Sequence, residues 1–178
     1  MKYIKLFENF EDYDPYELMI IPPNKKGEML MKEIKKDKPN LNLVSDLIVL
    51  GANLDWQDDY GRTALHYCGQ YDHLEIAKML IDAGADVNIQ QNDDSTALHW
   101  CAYHNHPEIA KMLIDAGADV NIQDGGGWTA LHWCAYKNRP EIARILLDAG
   151  ADKTIPNNDG ELPYELAKTQ ELKELLKS

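Results

Sequence analysis

The sequence is short of positive charge. It holds 18 Lys and Arg against 30 Asp and Glu, a formal net charge of −12. Nucleic acid and anionic membrane both reward Lys and Arg, so neither is expected as a partner. A protein partner, basic in character, suits the balance better. Long hydrophobic runs are also missing: no stretch of about 18 apolar residues is present to span a bilayer. The opening MKYIKLFENFEDYD turns acidic too soon for a secretory signal. The expected location is therefore cytoplasmic, in the host if the chain is viral.

Cysteine is scarce and odd in number. The three are Cys68, Cys101 and Cys134, which excludes a complete internal disulfide framework. Their even spacing points to one small buried slot used three times, where a free thiol packs as a small hydrophobe. Neighbouring slots of a stacked array lie roughly 10 Å apart, beyond the reach of a disulfide. Catalytic signatures are lacking as well. There is no Gly-rich phosphate loop, no Gly-x-Ser-x-Gly elbow and no His-Glu-x-x-His stretch. The run Gly125-Gly126-Gly127 is not followed by Lys-Ser/Thr and reads as a flexible turn tip. No enzyme activity and no cofactor are expected.

What is present is a period. Gly-Ala-Asp/Asn begins at 51, 84, 117 and 150, and Thr-Ala-Leu-His begins at 63, 96 and 129. Each step is 33 residues. The period also explains the stretch LHWCAYHNHPE at 98–108, whose His99, Cys101, His104 and His106 resemble a metal site. The stretch LHWCAYKNRPE, 33 residues on, keeps His132 and Cys134 but has Lys137 and Arg139. Half of the cluster is scaffold and half is decoration, and no metal is expected.

Each unit reads as two short helices. The first starts after Thr63, Thr96 or Thr129, whose hydroxyl can cap free N–H groups. It ends near Asp72, Asn105 or Asn138, which tolerate the left-handed conformation. The second carries Ile109, Met112, Leu113 and Ala116 at helical spacing. Pro107 and Pro140 suit its first turn, and Gly84, Gly117 and Gly150 its end. An extended segment such as 86–90 leads to the next turn. One such unit cannot bury its apolar face, whereas a stack can.

The chain resembles the ankyrin repeat family, with a D-G-x-T-P-L-H start and a G-A-D-V-N end to each unit. The resemblance covers about 25–178. It implies an all-α fold: a solenoid of stacked helix-turn-helix units with short β-turn or hairpin loops. The units are a degenerate first repeat at 25–57, repeats at 58–90, 91–123 and 124–156, and a C-terminal cap at 157–178. Ala64, Ala97 and Ala130 replace the family proline, which Pro163 keeps. Asp94 replaces the turn glycine found as Gly61, Gly127 and Gly160; Asp can occupy positive φ at modest cost, and a reshaped loop is expected here. The first repeat has Leu30, Met31, Lys32 and Glu33 in place of the Thr-x-Leu-His motif. Its KEIKKDK stretch is expected to be a polar helix facing water, and ELKELLKS an exposed end. Residues 1–24 form a separate segment, expected first to fold back over the first repeat, with a partner-binding linear motif and a dispensable tail as the other readings. Its opening, KYIKLFENF, is similar to the N-termini of large tailed-phage proteins.

The resemblance implies that His66, His99 and His132 order the turns by bonding backbone and the adjacent Thr. It also implies binding of another protein, without catalysis, through a concave face and the turn tips. Positions that vary between repeats are the candidates: Tyr60, Arg62 and Tyr71 in one unit, Asp93, Ser95, Tyr103 and His104 in the next, Trp128, Tyr136 and Lys137 in the third. Tyr67, Trp100 and Trp133 add a column that either packs or recognises. Asp59, Asp93 and Asp94 flank this aromatic stripe. An adaptor and a phage- or pathogen-encoded inhibitor of a host enzyme or defence factor both fit. Oligomeric state is left open.

Overall fold

The computed structural model describes residues 18–177. Among them are ten helices and no strand. They pair as α1 (Pro23–Ile34) with α2 (Leu41–Val49), α3 (Ala64–Tyr71) with α4 (Leu74–Asp82), α5 (Ala97–His104) with α6 (Pro107–Asp115), α7 (Ala130–Lys137) with α8 (Pro140–Asp148), and α9 (Pro163–Leu166) with α10 (Gln170–Leu176). First helices stack on first helices, α3 on α5 on α7, and second helices on second helices. This is an ankyrin-type helical solenoid.

The local chemistry follows the sequence closely. Thr63, Thr96 and Thr129 are extended N-caps. Asp72, Asn105 and Asn138 close the first helices with φ of 60°, 72° and 58°. Asp94 takes φ 63° in the turn where its counterparts are glycine. Ile109 and Leu113 are buried and Met112 half-buried, whereas Ala116, expected on the same stripe, is an exposed C-cap. The three cysteines are fully buried and free.

Each histidine of the Thr-Ala-Leu-His motif spans two repeats. His66 Nδ1 accepts the Thr63 backbone N–H at 3.1 Å, with the Thr63 hydroxyl 2.9 Å away. That leaves Nε2 to donate to the Ser95 carbonyl of the next repeat at 3.1 Å. His99 does the same between Thr96 and Trp128, and His132 between Thr129 and Glu161. Two buried backbone groups that water cannot reach are thereby satisfied by one neutral ring.

The turns form a second seam. Asn92 N–H donates to the Tyr60 carbonyl, Gly125 to Asp93 and Asn158 to Gly126, at 2.7–3.0 Å. A third seam joins the far edge, where Asp86, Asp119 and Asp152 N–H groups donate to Asp55, Asn88 and Asn121 side chains. Within the segment 86–90, expected to be extended, a turn falls at 87–88, with Asn88 N–H donating to the Asp86 side chain.

The first repeat departs from the expected form. Measured from α3, its first helix should begin near residue 31; α1 begins at Pro23 and stops at Ile34. Lys35, Lys36 and Lys38 of KEIKKDK therefore lie beyond the helix, exposed. Glu33 stands where the other repeats have histidine. It is 1% exposed, accepts the Asn40 N–H at 2.7 Å and pairs with Lys36 at 2.7 Å. Lys26 is also buried and donates to the Leu50 carbonyl. Within the described residues the first unit thus satisfies its own buried charges, Glu33 through Asn40 and Lys36, and Lys26 through Leu50. Of the segment expected to cover it, residues 1–17 lie outside the described residues; Leu18 and Ile21 are buried in the core.

Two predictions follow from this packing. Burial pushes all three bridging imidazoles down, His66 to about 4. Between about pH 6.5 and 4 the unfolded chain binds protons that the folded chain refuses, so stability is full above that window and drains as pH falls through it. His66 alone accounts for about 3 kcal/mol of this loss, and thermal melts across the window will show Tm falling. Burial likewise pushes the thiols up. Ellman's reagent should titrate no cysteine in the native chain and all three in guanidinium.

Candidate functional site

The face formed by α3, α5 and α7 is built outward from the turns. Asp58 Oδ1 accepts the N–H groups of Tyr60 and Arg62, which closes the turn, and its Oδ2 accepts the Tyr67 hydroxyl at 2.7 Å. Asp124 repeats the pattern with the Gly126 and Trp128 N–H groups and the Trp133 indole N–H at 3.0 Å. The middle repeat has Gln91 at this position. Its Oε1 still accepts the Trp100 indole N–H at 3.0 Å, while Asp93 takes over the turn by accepting the Ser95 N–H. Each aromatic of the column is thus pinned to an acceptor nine residues earlier.

Pinned rings meet across repeats. Tyr103 packs edge-on against Trp133 with centroids 5.3 Å apart, and Trp128 contacts Trp133 at 4.6 Å and Tyr136 at 5.4 Å. Trp100 stacks on His104 at 5.6 Å, and Tyr67 on Tyr71 at 6.0 Å. A cavity of about 420 Å³ opens among Gln70, Asp93, Ser95, Trp100, Tyr103 and Trp133.

Cations sit on these rings. Lys35 lies 4.5 Å from the Tyr67 centroid, Arg62 4.6 Å from Trp100, Lys137 3.9 Å from Tyr103 and Lys168 4.3 Å from Tyr136. Cation–π contact of this kind is worth about 0.5–2 kcal/mol each. Burial disfavours the Asp58 carboxylate, but its bonds to Lys35, Tyr67 and the turn N–H groups outweigh that and leave it at about 2. Asp93 is opposed by burial too, and Ser95, Gln91 and the Arg62 charge hold it below the usual carboxylate range. His104 is pushed down, first by burial, then by the positive charges of His106, Lys137 and Arg139.

The candidates therefore divide. Tyr60, Tyr71, Asp93 and Tyr136 are exposed. Arg62, Trp100, Tyr103, His104, Trp128, Trp133 and Lys137 are half-buried along one row. Ser95, expected to face outward, and Tyr67, from the column that either packs or recognises, are buried. Tyr67 is drawn in by Asp58 and covered by Lys35; Ser95 lies in the closed turn under Arg62's partner Gln91. Sequence reasoning missed the acceptors Asp58, Gln91 and Asp124 and the cations Lys35 and Lys168. The constant offset of nine residues was the available signal for the acceptors. Nothing in the sequence marked the cations, since Lys35 and Lys168 come from the flanking units.

The four residues of the apparent metal cluster part company. His99 bridges repeats, Cys101 is core, His104 stacks on Trp100, and His106 lies 3.3 Å from Asp72. Among the described residues no three His, Cys, Asp or Glu side chains converge on one point, and no helix is long and apolar enough to cross a membrane.

The family model for ankyrin repeats (3 copies) matches residues 30–124 and 92–157. The chain belongs to the ankyrin repeat family. No curated protein matches it. Ankyrin repeats generally mediate protein–protein interaction, and their proteins are typically non-catalytic.

Collisional quenching reads the electrostatics of this face directly. Relative to a free tryptophan derivative, iodide should quench the native fluorescence more strongly than caesium, despite the net charge of −12. Preferential quenching by caesium would contradict the cation placement.

Proposed function

We propose that this chain is a non-catalytic module that binds a partner protein across the α3–α5–α7 face and the adjoining turn tips. The observation that carries the reading is the aromatic row itself. Trp, Tyr and Arg dominate the energetics of protein interfaces, and here Arg62, Trp100, Tyr103, Trp128, Trp133 and Tyr136 are gathered on one face, the tyrosines and indoles partly open to water. The rings are already fixed by Gln91, Asp124 and one another. Little side-chain freedom remains to be lost on binding, which favours affinity at a given contact area.

The recurring bonds do the scaffold's work and the varying positions do the recognition. Tyr60, Asp93 and Gly126 occupy equivalent tip positions, as do Arg62, Ser95 and Trp128. A partner therefore meets a different tip in each repeat against a constant backbone.

The test uses the full chain as bait in candidate host lysate. Alongside the wild type go a Tyr103→Ala/Trp128→Ala/Tyr136→Ala variant and a Lys78→Glu/Lys111→Glu control on the second helices, each matched for helicity and Tm. The expected outcome is a partner held by wild type and control and lost, by about tenfold or more, from the aromatic variant. A partner lost from the control and kept by the aromatic variant would place binding on the other face.

A further inference from the structure

The whole chain is acidic, but the helices that form the row are not. The helices α3, α5 and α7 read ALHYCGQY, ALHWCAYH and ALHWCAYK and contain no Asp or Glu. The second helices α4, α6 and α8 carry Glu75, Asp82, Glu108, Asp115, Glu141 and Asp148 instead. The acids near the row are mostly engaged. Asp58 is held by Lys35, Tyr67 and its own turn. Asp124 is held by Trp133 and its turn, and Asp93 by Gln91 and Ser95. Asp59, Asp93 and Asp94 are exposed at the tips, and the bonds that hold Asp93 and Asp124 come from neutral donors, which fix these carboxylates in place without cancelling their charge.

The cations of the row are less committed. Among the described residues, Arg62, Lys137 and Lys168 have no carboxylate within ion-pair distance; the seven pairs found involve other side chains. Arg62 uses Nε on Gln91, and its terminal nitrogens have no acceptor among the described residues. Lys137 and Lys168 rest on Tyr103 and Tyr136. A ring face holds a cation in place without neutralising it or consuming its hydrogen bonds.

We propose that this face receives an acidic peptide segment of the partner, its carboxylates seated on Arg62, Lys137 and Lys168 and its apolar side chains against Trp100, Tyr103, Trp133 and Tyr136. The proposal rests on the binding function above and gives it a chemistry opposite to that expected from net charge alone. Single-stranded nucleic acid also pairs aromatics with cations. It is disfavoured because a long polyanion would meet the remaining net negative charge of the molecule, while a short acidic segment touches only the row.

The experiment is a selection of random peptides of about twelve residues on the immobilised full chain. Three baits run in parallel: wild type, an Arg62→Glu/Lys137→Glu/Lys168→Glu variant, and the Tyr103→Ala/Trp128→Ala/Tyr136→Ala variant. Enriched sequences rich in Asp and Glu are expected on wild type. They should bind the charge-reversed bait about tenfold or more weakly and lose affinity as salt rises. The reversed bait should itself enrich Lys and Arg. Neutral or basic peptides on wild type that vanish with the aromatic variant would overturn the acidic segment and leave the binding face standing. No enrichment over blank resin, or enrichment indifferent to both variants, would overturn both. Oligo(dT) binding more tightly than the best peptide, and lost on charge reversal, would assign the row to nucleic acid and overturn the proposal.

Discussion

The structure depends on one uncharged ring used as a bridge. In each full repeat a histidine takes an N–H from its own helix start and gives an N–H to a carbonyl of the next unit. The bridge works only while the imidazole is neutral, because a protonated Nδ1 cannot accept. It couples helix initiation inside a repeat to docking between repeats, so neither is complete without the other. Stacking of small side chains finishes the joint. Gly69 faces the α5 backbone so closely that a Cβ there would lie 2.8 Å from the Ala97 carbonyl oxygen. The stack has no slack at that level.

The aromatic row is a by-product of the same economy. A residue that closes a turn with one oxygen has a second oxygen to offer, and Asp58 and Asp124 offer it to the ring nine positions on. Gln91 has one carbonyl oxygen and an amide nitrogen, so it keeps the ring but cannot close the turn in the same way; Asp93 does that instead. The aromatic row and the scaffold thus share atoms. A change at a turn acceptor alters both the shape of the tip and the pose of a ring.

Much of the fold was legible in the sequence because a repeat states its rules several times. Thr caps, left-handed Asp72, Asn105 and Asn138, buried cysteines and the histidine bridge recur at fixed offsets. The misreadings fall where the period weakens. The first repeat lacks the motif, so the start of α1 and the burial of Lys26 and Glu33 were hidden. The column of Tyr67, Trp100 and Trp133 stood open between packing and recognition, and at Tyr67 the period did not show that Asp58 draws the hydroxyl in beneath Lys35. The cations along the row were hidden for a different reason. Summed charge is a property of composition, while Lys35 and Lys168 reach the row from flanking units that the period does not describe.

The seams between repeats carry a further consequence. Their partners lie 29, 31 or 32 residues apart, with the same group types on both sides of each junction. Every interior unit presents upward what its neighbour presents downward. A copied unit inserted into the stack would find both of its surfaces met, and an excised one would leave two surfaces that fit each other. Length is therefore a free parameter of this architecture. Gene duplication can lengthen or shorten the stacked surface one rung at a time, and the 20 of 33 positions identical between the units at 91–123 and 124–156 are what such a history would leave behind.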